Sequence, residues 1–591
     1  MTELDPTTFT LLSHRLDGVA RNMQHTLVRS SRSGVIANGH DCSCCVLTAE
    51  HELLSVAETI PIHVMSGADR MAASVAAFHP EQRRGDAYLH NSPYHGCTHA
   101  ADLSVLVPVF DDDGVHRFTV LAKSHQADIG NSKPTTYMAD AKDVYEEGAL
   151  IFPAVQLQQD YQTIEDVVRL GRLRIRAPEQ WYGDLLALIG AARTGERMLE
   201  AVARDFGWNA LGEFAASWLD YAERRMIEAV RAMPDASYTG ESVHDAFPGS
   251  PAEGIRVRAC VTVDTSDAVI QVDLRDNIDC LPNGLNLSEA TARSAALIGV
   301  FNCLPGAVPV NAGSSRRVEI LLREGCVVGV PHSTASCSVA TTNVADRVVN
   351  AVHQAMSGLG DPIGHAEAGA IEGPAGAVLS GVDPRFDNAP FINQLALAGT
   401  AGAGNSAGDG WLSLGNACSA GMWTLDSIEV DELTLPLRVL ERRLLPDTEG
   451  AGEFRGAPAC RVVYESTTPL TVHYAADGVG NPARGVNGGG TGAGVKQWLC
   501  RRDGQLQALP GLGELVLQPG EKIIADTSAG GGYGLAENRD PTLVARDVAD
   551  AIVTVERAYE IYHVVLDERG QVDVEATSEL RAQAGPGANQ S

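Results

Sequence analysis

The chain has 591 residues, of which 44% are hydrophobic and 20% are charged, and its formal net charge at pH 7 is −30. This length allows several domains and a large buried core, and the apolar fraction is typical of a folded protein. The excess of acidic residues disfavours nucleic acid and anionic membranes as partners.

The N-terminal segment MTELDPTTFTLLSHRLDGV has acidic residues where a secretory signal needs basic ones, and it has no apolar core run. No run elsewhere is long enough to predict a membrane-spanning helix. We therefore expect a cytoplasmic protein whose 12 cysteines are reduced thiols. The cluster Cys42, Cys44 and Cys45 fits a strand that sends alternate side chains to opposite faces, which favours core packing over a zinc site.

The first predicted element is a helix over residues 5–31, which begins at Asp5 and Pro6. Its predicted apolar stripe consists of Leu11, Leu12, Leu16, Val19, Met23 and Leu27. A hairpin of segments 41–47 and 53–57 follows, and its pairing returns Asp41 to the neighbourhood of Glu58. If a metal is bound at this open end by the two His-Asp pairs described below, Asp41 is a candidate for its fifth ligand. Alternatively, Asp41 is a carboxylate next to the ligands.

A second hairpin is predicted from two β-rich, apolar segments, 103–110 (LSVLVPVF) and 117–124 (RFTVLAKS). The intervening Asp-Asp-Asp-Gly at 111–114 supplies turn residues. Two strands of similar length joined by a short loop pair antiparallel, so the residues that flank the open end become neighbours.

The same pair of residues, His-x-x-Asp, stands at both ends of this hairpin, as His99 with Asp102 and as His125 with Asp128. The pairing places Asp102 opposite His125, with Cα atoms roughly 4.5–5.5 Å apart. One isolated His-x-x-Asp usually means a surface hydrogen bond, but two copies that converge predict a metal site. Imidazole with carboxylate suits zinc, manganese or iron better than calcium or magnesium, which prefer oxygen ligands.

The rest of the chain predicts a mixed α+β, multi-domain protein. Helical patterns cover 177–232, 289–302 and 343–358, and alternation near 255–280 predicts strands. We expect an N-terminal metal-binding α+β domain with β-hairpins over 1–235, an α/β middle domain over 236–360, a glycine-rich, β-containing C-terminal domain over 361–570 and a flexible tail over 571–591.

Two glycine runs, 488–492 and 530–534, invite a phosphate-binding interpretation, because such loops present backbone N–H groups. Neither run has the lysine and Ser/Thr of a P-loop, nor lies clearly between a strand and a helix. Tight turns and close backbone packing are the favoured interpretation. The sequence thus contains no convincing nucleotide-binding motif.

Taken together, the motifs resemble those of the hydantoinase B/oxoprolinase family along almost the whole chain. This family includes the B-type subunits of ATP-dependent hydantoinases, 5-oxoprolinases, caprolactamase, and acetone and acetophenone carboxylases. The segments that carry the resemblance are ETIPIH (58–63), NSPY (91–94) with Thr98, His99 and Asp102, HQADIG (125–130), EEG (146–148), RAPEQWYGD (176–184), PVNAG (309–313), DTEGAGEFRG (447–456), GGGYG (530–534) and NRDP (538–541).

The resemblance implies that a partner A-type subunit, an ATPase with an actin-like fold that uses ATP and magnesium, phosphorylates a carbonyl or enol oxygen of the substrate. The B-type subunit carries one transition metal ion and completes the reaction, and (AB)₂ is the expected assembly. Carried over by position, the metal ligands are Asp41, His99, Asp102 and His125, with Asp128 close by. Many members have His-His-Ala-Asp where this chain has His-Gln-Ala-Asp at 125–128, so either Gln126 replaces a non-ligand or the register is shifted.

The leading hypothesis is an ATP-dependent amidohydrolase that opens a cyclic amide, such as a hydantoin, a lactam or 5-oxoproline, with a metal-activated water. Asp128 and Glu58 are candidates for the general base, and His63 and His95 for proton transfer. One alternative is a subunit of an ATP-dependent ketone carboxylase. Another is a scaffold for the ATPase subunit in which the metal only stabilises the fold.

Overall fold

The computed structural model describes residues 5–304, 306, 308–360, 363–370 and 373–584. Helices and four sheets alternate along this part of the chain, so the predicted mixed α+β class is confirmed. Among the described residues, no helix combines the length and apolarity needed to cross a bilayer.

The N-terminal part of the chain is built on a seven-stranded antiparallel sheet of order β2-β1-β5-β4-β3-β6-β7. Its elements are α1 (Pro6–Ser30), α2 (Gly34–Ala37), β1 (Cys42–Thr48), β2 (Leu53–Val56), α3 (Ala68–Phe78), β3 (Ala87–His90), β4 (Asp102–Phe110), β5 (His116–His125), α4 (Val144–Glu147), β6 (Val155–Gln159), β7 (Gln162–Thr163), α5 (Glu165–Arg174), α6 (Pro178–Phe206) and α7 (Trp208–Arg231). Helices α1 and α6 pack together on one face of the sheet and form its main core.

Helix α1 begins where predicted, because the Asp5 side chain accepts hydrogen bonds from the N–H groups of Thr7 and Thr8. The buried stripe is Leu12, Leu16, Val19, Met23 and Leu27. Including Leu11 in that stripe was wrong, since its side chain is 49% exposed one step around the helix.

Strand β1 confirms the predicted alternation of the cysteines. Cys44 joins the core under α1 and α6, whereas Cys45 joins a second core that contains residues of α3. All 12 cysteines are free thiols.

The middle of the chain forms a four-stranded sheet of order β11-β10-β9-β8, covered by two helices. The elements are β8 (Ala236–His244), β9 (Ile255–Asp264), β10 (Val269–Asp273), α8 (Glu289–Phe301), α9 (Ala312–Ser315), β11 (Val318–Leu321) and α10 (Val344–Ser357). Helices α8 and α10 occupy two of the predicted helical segments. The loop before α10 reaches the N-terminal part, where Ser338 contacts His99.

The C-terminal part contains two further sheets, of orders β13-β12-β16-β19 and β14-β15-β20-β17-β18. Its elements are β12 (Val378–Asp383), β13 (Ala389–Gln394), α11 (Ile428–Thr434), β14 (Leu437–Leu444), β15 (Cys460–Ser466), β16 (Leu470–Ala475), β17 (Lys496–Cys500), β18 (Leu506–Ala508), β19 (Leu512–Leu517), β20 (Lys522–Asp526), α12 (Pro541–Ala549), α13 (Val555–Glu560) and α14 (Val574–Ala584). Residues from both sheets share one core.

The glycine runs are close-packed backbone. A Cβ atom added at Gly489 would lie 2.0 Å from the carbonyl oxygen of Gly532, and one added at Gly530 would lie 2.0 Å from that of Gly402. Only glycine allows these segments to approach so closely. This arrangement agrees with the packing interpretation.

Within segment 571–591, for which a flexible tail was predicted, residues Val574–Ala584 form a helix. Its Arg581 donates a hydrogen bond to the carbonyl of Arg539 at 2.7 Å. Residues 585–591 lie outside the described part of the chain. The domain boundaries at 235 and 360 stay predictions.

Candidate metal centre

The hairpin of β4 and β5 places Asp102 opposite His125, as predicted. Asp102 Oδ1 lies 3.3 Å from His125 Nδ1 and 3.0 Å from His99 Nε2. Ligand atoms of these three residues all lie within 4.8 Å of one another, and the side chains are buried. A bulge between Val109 and Phe110 alters the pairing near the turn but leaves the open end in register.

Asp41 and His63 lie beside this cluster. Asp41 immediately precedes β1, and its carbonyl accepts a hydrogen bond from the backbone N–H of His125 at 3.0 Å. His63 Nε2 lies 3.4 Å from Asp41 Oδ1 and 3.4 Å from Asp102 Oδ2. Asp41 Oδ1 is buried and has no hydrogen-bond partner among the described residues, which leaves this oxygen free to bind a cation.

Each of the three imidazoles has its outer nitrogen held by an oxygen. His99 Nδ1 lies 2.8 Å from the carbonyl oxygen of Ser338. His125 Nε2 lies 3.1 Å from Thr136 Oγ1, and His63 Nδ1 lies 3.1 Å from Ser43 Oγ. Such partners orient metal-binding histidines and select the nitrogen that faces the metal.

Two further side chains fix the geometry around Asp102. Thr98 Oγ1 donates a hydrogen bond to Asp102 Oδ2. Lys123, which is fully buried on β5, donates from Nζ to the carbonyl oxygen of His63 at 2.8 Å and to Thr98 Oγ1 at 3.5 Å. The ammonium group also brings a positive charge towards the carboxylates.

The electrostatics of the cluster favour an ionised Asp102. Burial alone would raise the pKa of Asp102, but His63 and His99 outweigh that effect and hold it well below its usual value. Burial would lower the pKa of His99, yet the Asp102 carboxylate raises it overall. For His63 burial dominates, and the pKa is lowered.

A small cavity of about 30 Å³ adjoins the cluster and is lined by Asp41 and His63 together with Tyr137, Gln394 and Trp423. By volume it holds roughly one or two water molecules. The ring of Tyr137 stacks on that of His125 at a centroid distance of 5.4 Å. Asp41 and His63, which lie beside the cluster, therefore face this space, whereas His99, Asp102 and His125 do not line it.

Asp128 is not placed as a general base. Its Oδ1 accepts from the N–H of Gly130 at 2.9 Å and from the Arg176 guanidinium at 3.2 Å, and its Oδ2 accepts from the N–H of Arg176 at 2.7 Å. Both oxygens are thus used to hold the chain after β5 against the start of α6. The expectation that Asp128 acts as base is withdrawn for this reason.

Glu58 and His95 also lie apart from the cluster. Glu58 is exposed, and His63 rather than Glu58 lies beside Asp41. His95 is exposed as well, and its Nδ1 contacts Ser92 Oγ at 2.8 Å. Neither position supports proton transfer inside the buried site.

The donor set fits a divalent transition metal. His99, Asp102 and His125 offer two imidazole nitrogens and one carboxylate, and Asp41 adds a buried oxygen that makes no hydrogen bond and lies 3.4 Å from His63 Nε2. The sequence did not reveal the supporting residues Ser43, Thr98, Lys123, Thr136 and Ser338, since serine, threonine and lysine carry no spacing signal for such roles.

Comparison with known proteins gives a consistent picture. A family model described as hydantoinase B/oxoprolinase matches residues 5–536. The chain is 30% identical over 599 aligned positions to the beta chain of the caprolactamase of Pseudomonas jessenii, covering 98% of this chain and 100% of that protein. It is 26% identical to a proposed B-type subunit of the D-/L-hydantoinase of Pseudomonas sp. (strain NS671), with 98% of each chain covered.

Two solved structures are also similar to this chain. The crystal structure of the ATP-dependent caprolactamase of Pseudomonas jessenii superimposes with a TM-score of 0.86 at 28% identity, covering 98% of this chain and 100% of that one. A nucleotide-free acetone carboxylase structure also gives a TM-score of 0.86, at 17% identity, covering 98% of this chain and 83% of that one. At that identity the likeness shows the fold alone.

Proposed function

This chain belongs to the hydantoinase B/oxoprolinase family, and on that premise we propose that it is the B-type subunit of an ATP-dependent amidohydrolase that opens a cyclic amide. A partner A-type ATPase subunit phosphorylates the amide oxygen, and this chain hydrolyses the activated ring. The observation that carries the proposal is the buried His99–Asp102–His125 cluster with an oxygen of Asp41 beside it that makes no hydrogen bond.

The need for a partner follows from the chemistry of amides. Resonance makes an unstrained amide resistant to water, and phosphorylation of its oxygen removes that resonance. The glycine runs of this chain are filled by neighbouring backbone and offer no cradle for a nucleotide. Activation is therefore assigned to the ATPase subunit.

Hydrolysis of the phosphorylated ring consumes two water molecules. One water oxygen bonds to the activated carbon, both protons of that water pass to nitrogen, and the C–N bond breaks as nitrogen takes the electron pair. The resulting acyl phosphate reacts with a second water to give a carboxylate and inorganic phosphate. The cavity of about 30 Å³ has room for roughly this much water.

The metal would be held by His99, Asp102 and His125 with Asp41. When bound it supplies Lewis acidity, which acidifies water and stabilises negative charge that develops on oxygen. His63 Nε2, 3.4 Å from both carboxylates, is the nitrogen placed to move a proton within the site. Thr98 and Lys123 keep Asp102 and the His63 backbone in position.

The substrate ring does not fit into the cavity as it stands, since about 30 Å³ is far below the size of common ligand sites. We propose that the wall formed by Tyr137 and Trp423 moves when the activated ring enters. Once the ring is bound, the two aromatic side chains would shield the acyl phosphate from bulk water.

The test uses the complex with the A-type ATPase subunit and three readouts: ATP consumption, ring-opened product and co-elution of the two proteins. Asp102→Ala, and the milder Asp41→Asn, should abolish or strongly reduce product while the complex and ATP consumption persist. His95→Ala is the matched histidine control, because it is exposed and outside the cluster.

If both cluster variants dissociate and lose ATP consumption together with product, the metal is structural and the proposal is wrong. A carboxylated ketone product that depends on bicarbonate would instead support the carboxylase alternative. ATP hydrolysis by this chain in isolation would contradict the division of labour.

A further inference from the structure

A surface pocket of about 340 Å³ lies between α1 and the chain that leads into β1. Arg21, His25 and Arg29 line it from α1, where all three side chains are exposed, and the half-buried His40 lines it from the opposite side. The three residues of α1 are spaced four apart, so they project from one face of the helix. We call this set of four side chains the basic pocket.

The charge of the basic pocket has little local compensation. Within the described part of the chain, neither Arg21 nor Arg29 forms a salt bridge, although the protein carries 75 acidic residues and 45 basic ones. Glu58 is the carboxylate that lines the cavity, and its backbone carbonyl, not its side chain, accepts a hydrogen bond from Gln24 Nε2 at 2.9 Å. Arg29 lies in the last turn of α1, where a positive charge is favoured by the helix dipole, but Arg21 lies two turns earlier and has no such reason.

The basic pocket is one peptide unit away from the metal centre. His40 lines the pocket, and the next residue, Asp41, lines the cavity beside the cluster. His40 has a backbone φ of 54°, a conformation that side chains other than glycine adopt infrequently. That conformation directs consecutive side chains into two different cavities.

A single short segment lies along both cavities. Trp423 lines the cavity of the metal centre, and the next residue, Thr424, bonds to the chain that carries the pocket. Thr424 N–H donates to the carbonyl oxygen of Gly39 at 3.1 Å, and its Oγ1 lies 3.1 Å from His40 Nδ1. Thr424 therefore joins the segment beside the metal centre to the residue that lines the basic pocket.

We infer that the basic pocket binds the phosphate of the reaction, through the guanidinium groups of Arg21 and Arg29 and the imidazoles of His25 and His40. Guanidinium forks match the geometry and charge of a phosphate oxygen pair. The inference rests on the proposed function, because that function brings a phosphorylated ring to the site and releases inorganic phosphate from it. The bound group is either the phosphoryl group of the activated ring or the free product.

The first experiment measures binding of inorganic phosphate to the full chain by calorimetry at constant ionic strength. The double variant Arg21→Gln/Arg29→Gln should weaken binding about tenfold or more, since each charged hydrogen bond contributes substantially. Arg15→Gln is the control on the same helix: Arg15 is exposed, lies outside the cavity and pairs with Asp205 at 3.5 Å. Its phosphate affinity should equal that of the wild type.

A second variant separates the basic pocket from the metal centre. If phosphate bound at the metal, His99→Ala would abolish binding and the arginine variant would not, and the inference would be overturned. Unchanged affinity in Arg21→Gln/Arg29→Gln would overturn it as well. This titration needs neither ATP nor a cyclic amide, so it stands even if the proposed function fails.

The two sources of the phosphate are distinguished in the complex with the ATPase subunit. If the pocket takes the phosphoryl group of the activated ring, the double variant should form less product per ATP consumed. If it takes the free product, product per ATP should hold while inhibition by added phosphate disappears. A double variant that matches Arg15→Gln in both measurements would contradict the inference, and equal thermal midpoints would verify that the variants are folded.

Discussion

Substituting Thr136 by valine tests whether the outer partners of the histidines serve a metal. Thr136 Oγ1 lies 3.1 Å from His125 Nε2, and the two residues are 2% and 1% exposed. Valine has nearly the same shape, so the change removes one hydrogen bond without opening a large cavity. Water cannot easily replace the hydroxyl at this depth.

The expected effect follows from that geometry. Losing the outer partner of a ligating histidine lowers metal affinity roughly 10–100-fold, which corresponds to about 1.4–2.8 kcal/mol. Leaving His125 Nε2 buried without a partner also lowers the free energy of unfolding by roughly 1–3 kcal/mol. A general loss of stability must therefore be separated from a specific loss of affinity.

Thr135→Val provides that separation. Thr135 is 1% exposed, and its hydroxyl accepts from the N–H of Tyr137 at 3.1 Å rather than contacting a histidine. Metal affinity would be measured by competition with a chromogenic chelator at fixed pH. We expect a loss for Thr136→Val and near wild-type affinity for Thr135→Val; equal affinities in the two variants would refute the assigned role of Thr136.

Three other outcomes are expected. The purified chain should contain close to one equivalent of transition metal by elemental analysis. His99→Ala should lose the metal and His95→Ala should retain it; equal metal content in all three proteins would contradict the assigned metal centre. Burial raises the pKa of Asp346 to about 7 from 3.8, so the folded state holds this proton more tightly than the unfolded state does. The contribution of Asp346 to the free energy of unfolding is thus complete below pH 3.8 and is lost as the pH rises through about 7. Asp346→Asn should therefore make the urea midpoint of unfolding less dependent on pH. Gly532→Ala places a Cβ atom 2.0 Å from a backbone oxygen and should cost about 1–3 kcal/mol in the same assay, whereas Gly212→Ala, with open space around it, should be neutral or stabilising.

The part of the site that the sequence could predict depends on local pairing. Asp102 and His125 face each other because two strands joined by a short turn have one natural register, which the sequence pattern reveals. His99 follows from its spacing of three residues before Asp102. Helix α1 was predictable for a similar reason, since its N-cap and apolar period both lie in one continuous segment.

The rest of the site depends on contacts that no local pattern encodes. The oxygen that orients His99 comes from Ser338, 239 residues away in the chain. His63, on the turn Pro61–His63 beyond the end of β2, reaches Asp41, whereas Glu58 is exposed. Asp128 has the same position in its His-x-x-Asp motif as Asp102, yet its carboxylate accepts hydrogen bonds from Arg176, just before α6. These outcomes are set by tertiary packing.

Anomalous diffraction at the absorption edge of the bound metal tests the central claim most directly. Crystals of the protein, purified without chelators, should show one strong peak about 2.0–2.3 Å from His99 Nε2, Asp102 Oδ1 and His125 Nδ1, with Asp41 within reach. A protein that opens the ring together with its ATPase partner, yet shows no peak between these residues or shows it elsewhere, would contradict the assignment of this cluster as the metal centre.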